Sequence, residues 1–577
     1  MGVADGENII NLTLGEGSSH HGIVAGATGS GKSTLLHTII MSGMLCHSPD
    51  ELHLYLMDFK SGTEFKIYES AKLPHIQLLA LDAMQEFGES ILENLVNEMS
   101  RRSNLFKGAG QTSLAGFIET TGKPLPRILV IIDEFQVLFN DSANRKIAMN
   151  CAELTKKLVT EGRSYGIHLL MATQTTKVIS ELTLSHGIIE QMRVRIGLKC
   201  GEDDVRYLYG GRDDAKILDM MKGPIGTTVM NLEYMVSSNI GFRAAYCSKE
   251  TQAKYLSVIS EAYAEIPSAM QIFEGSRTVS FLDYLLQNKI GFSNEATVKM
   301  HIGMPIKVAP PVILQFDRRR RHNLLACGAN EKMAENLVNL CMLSALLNTN
   351  TDVYCIDGEH LLGESGSLAL YECLAGFTPR FRLAKNRAEI IGFISDIYSI
   401  YLARKKTNEM KQTFIVIKNM QPLDIVKKML KGEPLDENEY VGETISEATP
   451  QFADFGVSTN YDSIPLSVTE KLLHLIDSGA NYGIFFSISS LDYQVIKENM
   501  YYGENVLSKF PERIVFALSN NDAGNLIDGV SVSGLRENTV YYSDGVKNAF
   551  QIKPYAIPDV IELNRYINKL SAGNGTR

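Results

Sequence analysis

The chain has no apolar run near the roughly 20 residues that a membrane span requires. Its longest runs, such as Ile128 to Ile132, are strand-sized. No charged n-region followed by an apolar core opens it, so no signal peptide is expected. Cysteine is scarce and scattered: eight residues from Cys46 to Cys373, with no CxxC pair and no neighbouring histidine cluster. That argues against zinc and against a disulfide framework, and points to a reducing, cytoplasmic setting. Basic residues are not in excess, at 56 against 66 acidic and a net charge of −10. This balance disfavours indiscriminate coating of nucleic acid while leaving room for a local basic groove. What is present is ordinary globular composition, 45% hydrophobic and 21% charged, which excludes a disordered or fibrous chain. The 577 residues suffice for roughly four average domains or for two or three larger α/β units.

Short apolar strands alternate with helical stretches. Leu52 to Met57, Ile128 to Ile132 and His168 to Ala172 read as buried strands, and Phe87 to Phe106 carries Ile91, Leu95 and Met99 at helical spacing. Crossover helices between such strands imply a parallel sheet. A looser stretch from Ala262 to Pro311, with Pro267, Gly275, Gly303 and Pro310-Pro311, reads as a connector, and a second α/β run begins near Asn323. The expected domains are therefore 1–262, a connector at 263–311, and 312–577. The first glycine-rich loop comes so early that the chain is expected to be the soluble motor part of a longer, membrane-associated protein.

That loop, Gly26-Ala27-Thr28-Gly29-Ser30-Gly31-Lys32-Ser33 followed by Thr34, fits GxxxxGK[ST] at every fixed position, between an apolar strand at Gly22 to Ala25 and a helix. Glycines let backbone N–H groups wrap a phosphate, and the helix N-terminus faces its charge. The expected ligands are ATP and Mg²⁺, with Lys32 reaching the β- and γ-phosphates and Ser33 ligating the metal. Ile128 to Ile132 ends in Asp133-Glu134. Asp133 is expected to hold the Mg²⁺ shell and Glu134 to orient and deprotonate the attacking water. Gln174, at the end of the strand through Ala172, is expected to sense hydrolysis. Asp58-Phe59-Lys60 either approaches the nucleotide from an adjacent strand or forms a solvated turn. Arg163, Arg206 and the Arg101-Arg102 pair are candidates for a finger acting in trans on a neighbouring subunit.

Taken together, these residues resemble the FtsK/SpoIIIE branch of the HerA–FtsK superfamily. The carrying stretches are His21 to Ser33, Met57 to Lys60, Leu73-Pro74-His75, Leu125-Pro126-Arg127, Asp133-Glu134-Phe135 and Gly162 to Gln174. Arg195-Ile196 and Asp203 to Arg206 match further family positions. The resemblance spans about residues 10 to 250. It implies a RecA-like core, a homo-oligomeric and hexameric ring, and ATP-driven movement of a polymer through the pore. The family's frequent Arg-Pro after Ala-Thr-Gln is Thr175-Thr176 here, and the family's membrane region and winged-helix tail are missing from the chain.

The second half repeats the first in outline. Gly328 matches Gly26, 302 positions away; Asp357 matches Asp58 at 299; Gly483 matches Gly166 at 317; and Arg513 matches Arg195 at 318. The fold class is accordingly α/β, with two tandem RecA-like P-loop domains built on parallel sheets, the second degenerate. Met333-Ala334-Glu335 stands where Gly31-Lys32-Ser33 stood, Lys418-Asn419 replaces Asp133-Glu134, and Leu491 replaces Gln174. This copy is expected neither to hold Mg²⁺ nor to hydrolyse ATP. Arg318 to Arg321 offers a basic cluster for a phosphate backbone, or a solvated loop.

Two motor readings follow. The main one is a translocase driving double-stranded DNA through a ring. The alternative is a motor resembling the type VII secretion ATPases, which exports protein substrates, works beside a membrane-anchored partner, and uses its degenerate domain to bind substrate or regulate assembly. Glu134 speaks against a module that only binds nucleotide.

Overall fold

A computed structural model of the chain describes all residues except 5–7, 16, 18, 61–63, 175–186, 212, 234–238, 320–322, 408, 410, 436–465, 502–504, 533–534, 546–548 and 574–577. Thr175-Thr176, Arg320-Arg321 and the acidic stretch from Asp436 to Glu447 lie outside the described residues. The chain divides into two units, Met1–Arg277 and Thr278–Arg577.

The first unit has eleven described strands: β1 (Gly2–Ala4), β2 (Asn8–Ile10), β3 (Gly22–Ala25), β4 (Leu52–Asp58), β5 (Ile76–Leu81), β6 (Arg127–Asp133), β7 (Ile167–Thr173), β8 (Val194–Leu198), β9 (Thr227–Asn231), β10 (Ile240–Ala244) and β11 (Gln271–Glu274). They form one sheet in the order β11-β5-β4-β6-β7-β3-β8-β9-β10-β1-β2. The run from β11 to β8 is parallel and the remainder antiparallel. Strands β3, β7 and β8 are buried along their whole length, because a parallel sheet is covered on both faces. Helix α1 (Lys32–Cys46) lies on one face with Leu35, Leu36, Ile39, Ile40 and Met41 buried. Helix α2 (Gln85–Gly108) buries Ile91, Leu95 and Met99, the stripe its periodicity predicts.

The second unit has β12 (Val298–Pro305), β13 (Val312–Phe316), β14 (Leu324–Cys327), β15 (Thr351–Asp357), β16 (Phe381–Leu383), β17 (Gln412–Lys418), β18 (Ile484–Ser490), β19 (Glu512–Val515), β20 (Val540–Ser543) and β21 (Phe550–Pro554). Their order is β13-β12-β21-β20-β19-β14-β18-β17-β15-β16. Read from the opposite edge, this is the first sheet strand for strand, with no counterpart of β11 among the described residues. Alternate residues of β14, β15 and β17 feed two cores: Ala326, Cys355 and Val416 on the side of helix Glu331–Leu346, and Cys327, Ile356 and Ile417 on the side of helix Arg387–Thr407.

The expected connector at 263–311 is not a linker. Strand β11 extends the first sheet, and its Phe273 stacks on Phe87 with ring centroids 3.8 Å apart. Helix Phe281–Gln287 and β12 are built into the second core, so the second unit begins at Thr278 and not at 312. Prolines and glycines there mark turns between short edge elements, which composition alone cannot tell from a flexible tether.

Two imidazoles lock β3 to β7. The Leu169 N–H donates to His21 Nδ1 (3.1 Å), and His168 Nδ1 donates to the His20 carbonyl (2.9 Å). Burial, then the neighbouring His168 and His20, pushes His21 down to about 3; burial, reinforced by Arg127, pushes His168 down to about 4. A group with a depressed basic pKa stabilises the fold above its unfolded value near 6.5, and that contribution is lost as pH falls toward the folded value. Each of these histidines should therefore remove about 2 kcal/mol of first-unit stability by pH 5. Urea denaturation followed by amide exchange in β7 should show a lower midpoint at pH 5 than at pH 7.5. An equal midpoint at both pH values would rule this contribution out.

Candidate functional site

The glycine-rich loop leaves β3 between its two parallel neighbours, and both hold it. The Gly26 N–H donates to Thr173 O (3.3 Å) and the Ala27 N–H to Lys199 O (3.0 Å), while Ser30 O accepts from Gly226 N–H (3.1 Å). A Cβ on Gly26 would stand 2.6 Å from Ser30 Oγ and 2.9 Å from Leu198 Cβ, so no larger residue fits there. Gly31 takes φ 102°, the left-handed region that turns the chain into α1 at Lys32. No side chain caps the first turn of α1. Its N–H groups, with Ser33 and Thr34 in the same turn, are left for an anion. The Ser30 hydroxyl is buried with no hydrogen-bond partner.

Register brings the charged groups together. Strand β6 lies beside β4 with Asp133 paired to Asp58. Lys32 is only 6% exposed, so its ammonium needs a counter-ion: it forms an ion pair with Asp133 and stands 3.6 Å from Glu134 Oε1. Burial raises the Asp133 carboxyl, Lys32 opposes that, and Glu134 and Asp58 add to it. Three carboxylates around one ammonium leave a surplus of negative charge. This surplus, the uncapped helix and the orphaned Ser30 hydroxyl fit a nucleotide phosphate with its divalent cation. Among the described residues no cluster of His, Cys, Asp and Glu forms a closed metal cage, and Mg²⁺ held chiefly by phosphate and water needs none.

Glu134 sits at φ 56°, strained for a residue with a side chain. Both its oxygens are fixed: Gln174 Nε2 donates to Oε1 (2.6 Å) and Gln136 Nε2 to Oε2 (2.7 Å). Thr28 Oγ1 in turn donates to Gln174 Oε1 (2.9 Å), joining the phosphate loop to the expected sensor.

Other expectations divide. Asp58 and Phe59 are buried, and the Asp58 carboxylate accepts the N–H groups of Lys60 (2.9 Å) and Glu64 (3.2 Å). The Asp58 turn is therefore not solvated, although Lys60 itself is exposed. Arg102 cannot serve as a finger: it is 1% exposed and donates to Glu98, Tyr165 O and Pro126 O. Arg101 is tied to Glu98. Arg163 is exposed at the start of β7, the opposite end of that strand from Gln174. Arg206 is exposed on helix Glu202–Tyr209, with Asp214 3.6 Å away. Neither joins the site of its own chain.

Glu64 and Gln136 were not foreseen. Glu64 follows Asp58 by six positions, and no motif marks it. Its carboxylate lies 3.3 Å from His37 Nε2. His37 Nδ1 is 2.8 Å from the Tyr68 hydroxyl. Burial keeps Tyr68 protonated well past its ordinary range. His37 thus lies between the Tyr68 hydroxyl and the Glu64 carboxylate.

The second unit carries the same arrangement with the charges exchanged. Lys418 is paired across the strands to Asp357, as Asp133 is to Asp58. Asn419 adopts φ 48°, the left-handed conformation of Glu134. Lys418 Nζ is 3.4 Å from Glu335, 3.4 Å from Asp357 and 2.8 Å from Glu359. Burial works against its charge, but these carboxylates hold its pKa above the usual lysine value. The cation now sits on the strand and the anion on the helix. Asn330 caps that helix by accepting the Met333 N–H (3.1 Å). The polar groups a phosphate would meet are satisfied internally.

Replacing Lys418 by methionine, close in shape, should leave three carboxylates facing one another and cost about 3 kcal/mol. Urea titration with amide exchange read in β17 measures this directly, and a loss below about 1 kcal/mol would show that the network does not hold the unit together.

Residues 5–178 match the FtsK/SpoIIIE family. Curated relatives include the ESX-5 secretion system protein EccC5 of Mycobacterium marinum, 34% identical over 194 residues, covering 32% of this chain and 13% of the relative. The ESX secretion system protein EccC of Thermomonospora curvata is 30% identical over 240 residues, covering 40% and 17%. The chain therefore spans less than a fifth of these relatives' lengths. Among solved structures, the cytoplasmic domain of the T. curvata type VII secretion ATPase EccC matches with a TM-score of 0.63 at 19% identity, over 94% of this chain and 61% of that one. EssC (ATPases 2 and 3) of Geobacillus thermodenitrificans matches at 0.57 and 14% identity, over 94% and 92%. Among the described residues no helix is long and apolar enough to cross a membrane. The first unit thus contains a stretch that matches the FtsK/SpoIIIE family, within a chain that has the fold of the solved EccC and EssC ATPase domains.

Proposed function

We propose that this chain is the tandem-ATPase part of a secretion motor of the type VII kind, in which the first unit hydrolyses ATP to drive export of a protein substrate. What carries this reading is the combination of one open site and one charge-exchanged, closed site in consecutive units that together share the fold of EssC (ATPases 2 and 3). The relatives of the first unit named above are secretion-system proteins, and nothing among them favours the DNA translocase expected from the family resemblance alone. T. curvata EccC (ATPases 2 and 3) has been solved in complex with a signal sequence peptide, at a TM-score of 0.50 and 18% identity to this chain. By analogy, the closed second unit serves to dock substrate or to steer assembly.

In this reading Lys32 would turn from Asp133 to the phosphates, the uncapped turn of α1 would receive them, and Ser33 and Asp133 would hold Mg²⁺. The metal supplies positive charge to neutralise the phosphate oxygens. Glu134, fixed at both oxygens, orients the attacking water and takes its proton. Loss of the γ-phosphate is read by Gln174 through its bonds to Glu134 and Thr28. Arg163 and Arg206 are the finger candidates in a homo-oligomeric ring of six, beside a membrane-anchored partner.

Two outcomes test this. Glu134→Gln should bind ATP and lose at least about a hundredfold in turnover, while Lys32→Ala should lose binding. Turnover by the wild-type chain should rise with a helical-hairpin secretion substrate and stay constant with linear duplex DNA. Several-fold, salt-sensitive stimulation by DNA instead would restore the translocase reading.

A further inference from the structure

An aliphatic side chain with no part in the chemistry described so far stands against the phosphate loop, and the backbone holds it there. Ile225, 75% exposed, lies at the corner of a turn, Pro224 to Thr227, that leads into β9. The turn is closed by the Thr227 N–H (3.1 Å) and the Thr227 hydroxyl (2.8 Å), both donating to Pro224 O. Gly226 takes φ 90°, a left-handed conformation that glycine enters freely. Its N–H donates to Ser30 O (3.1 Å), and its carbonyl accepts the Ala244 N–H at the end of β10 (2.8 Å). A Cβ on Gly31 would stand 3.4 Å from Gly226 Cα and 3.6 Å from Ile225 Cγ2. The corner is thus pinned both to the loop and to the sheet, with its apolar side chain left in water.

A lone exposed isoleucine needs no explanation on a protein surface; this one is set apart by the bonds that fix it beside a phosphate site. The loop has two unlike ends. Thr28 donates to Gln174, which holds Glu134, so that end faces the acid expected to activate water. Gly31 is at the other end, where α1 begins, and Ile225 is beside it. A nucleoside triphosphate is two-ended in the same way: its terminal phosphate has to meet the acid, and its nucleoside leaves the loop on the far side. We propose that Ile225 belongs to the nucleotide site and covers a face of the nucleobase. This rests on the nucleotide reading above. An aliphatic surface covers ring area and reads no hydrogen bonds, so it adds affinity for the nucleoside without choosing between adenine and guanine.

The second unit supports this independently. Strand β20 lies between β19 and β21 as β9 lies between β8 and β10. The turn that leads into it, Arg536 to Thr539, is closed by the same two bonds: the Thr539 N–H (3.0 Å) and hydroxyl (2.8 Å) both donate to Arg536 O. The residue in the place of Ile225 is Glu537, also exposed, and the one in the place of Gly226 is Asn538. In the copy whose polar groups are satisfied internally, the same corner carries a carboxylate, which would repel a nucleotide's phosphates and offer no cover to a base.

The test is calorimetric titration of the full chain, in the presence of Mg²⁺, with a nonhydrolysable ATP analogue, its GTP counterpart and inorganic tripolyphosphate. Wild type, Ile225→Ala and Ile225→Leu are compared. Ile225→Ala should weaken both nucleotide analogues about fivefold, the worth of covering part of one aliphatic side chain. Tripolyphosphate, which has no nucleoside, should bind that variant as it binds wild type. Ile225→Leu keeps the apolar area and should stay within about twofold of wild type for both nucleotides. Thermal melting and sedimentation of each variant check that fold and assembly are kept. Unchanged nucleotide affinity in Ile225→Ala, an equal loss for tripolyphosphate, or a loss confined to one base overturns the contact while leaving the phosphate site intact. Failure of the wild type to bind any of the three ligands overturns the nucleotide reading and the role of Ile225 with it.

Discussion

A buried ammonium must have a carboxylate beside it, and the pair Lys32–Asp133 is where the first unit meets that demand. The lysine comes from the start of a helix and the acid from the end of a strand, 101 positions apart. They meet only because β3, β7, β6 and β4 lie side by side in parallel register, so that the loop after β3 faces the ends of its neighbours. The same convergence brings Asp58, Glu134 and Gln174 to the strand ends beside the loop, and with them the surplus negative charge that a phosphate-bound cation would relieve.

The second unit keeps the demand and reverses its solution. Lys418 and Glu335 occupy the positions of Asp133 and Ser33, the helix gains an asparagine cap, and the Ser367 hydroxyl donates to Glu335. An open site and a closed one thus grow from the same sheet order. In the open site the amides of Gln174 and Gln136 hold both carboxylate oxygens of Glu134 while its backbone keeps a positive φ. In the closed site Asn419 keeps the backbone twist with no carboxylate to present, a remnant of shared geometry without shared function.

This asymmetry fits a machine in which one domain spends nucleotide and its neighbour stays fixed. The charge exchanges lie at a strand end and a helix start, while the second sheet feeds its two cores by strand alternation.

Much of this was legible in the residues themselves. Gly26 to Ser33, Asp133-Glu134, and the failure of Met333 to Glu335 and Lys418 to reproduce them are local patterns, and local patterns survive in one dimension. The alternation of apolar strands and helices likewise determined the α/β class and the duplicated plan. Other features needed the third dimension. Strand β11 and the start of the second unit at Thr278 hide in a proline- and glycine-rich stretch, because edge strands owe their order to the sheet they join. Arg102 looked like a free cation until packing buried it among carbonyl groups. Glu64 and Gln136 carry no motif, since their roles come from contacts across the fold and not from spacing. The sequence by itself determined which groups the site contains and that one copy had lost them. Only the tertiary structure decided which acid meets which hydroxyl or ammonium, because such pairings depend on strand register and helix placement, and these are settled by the whole core together.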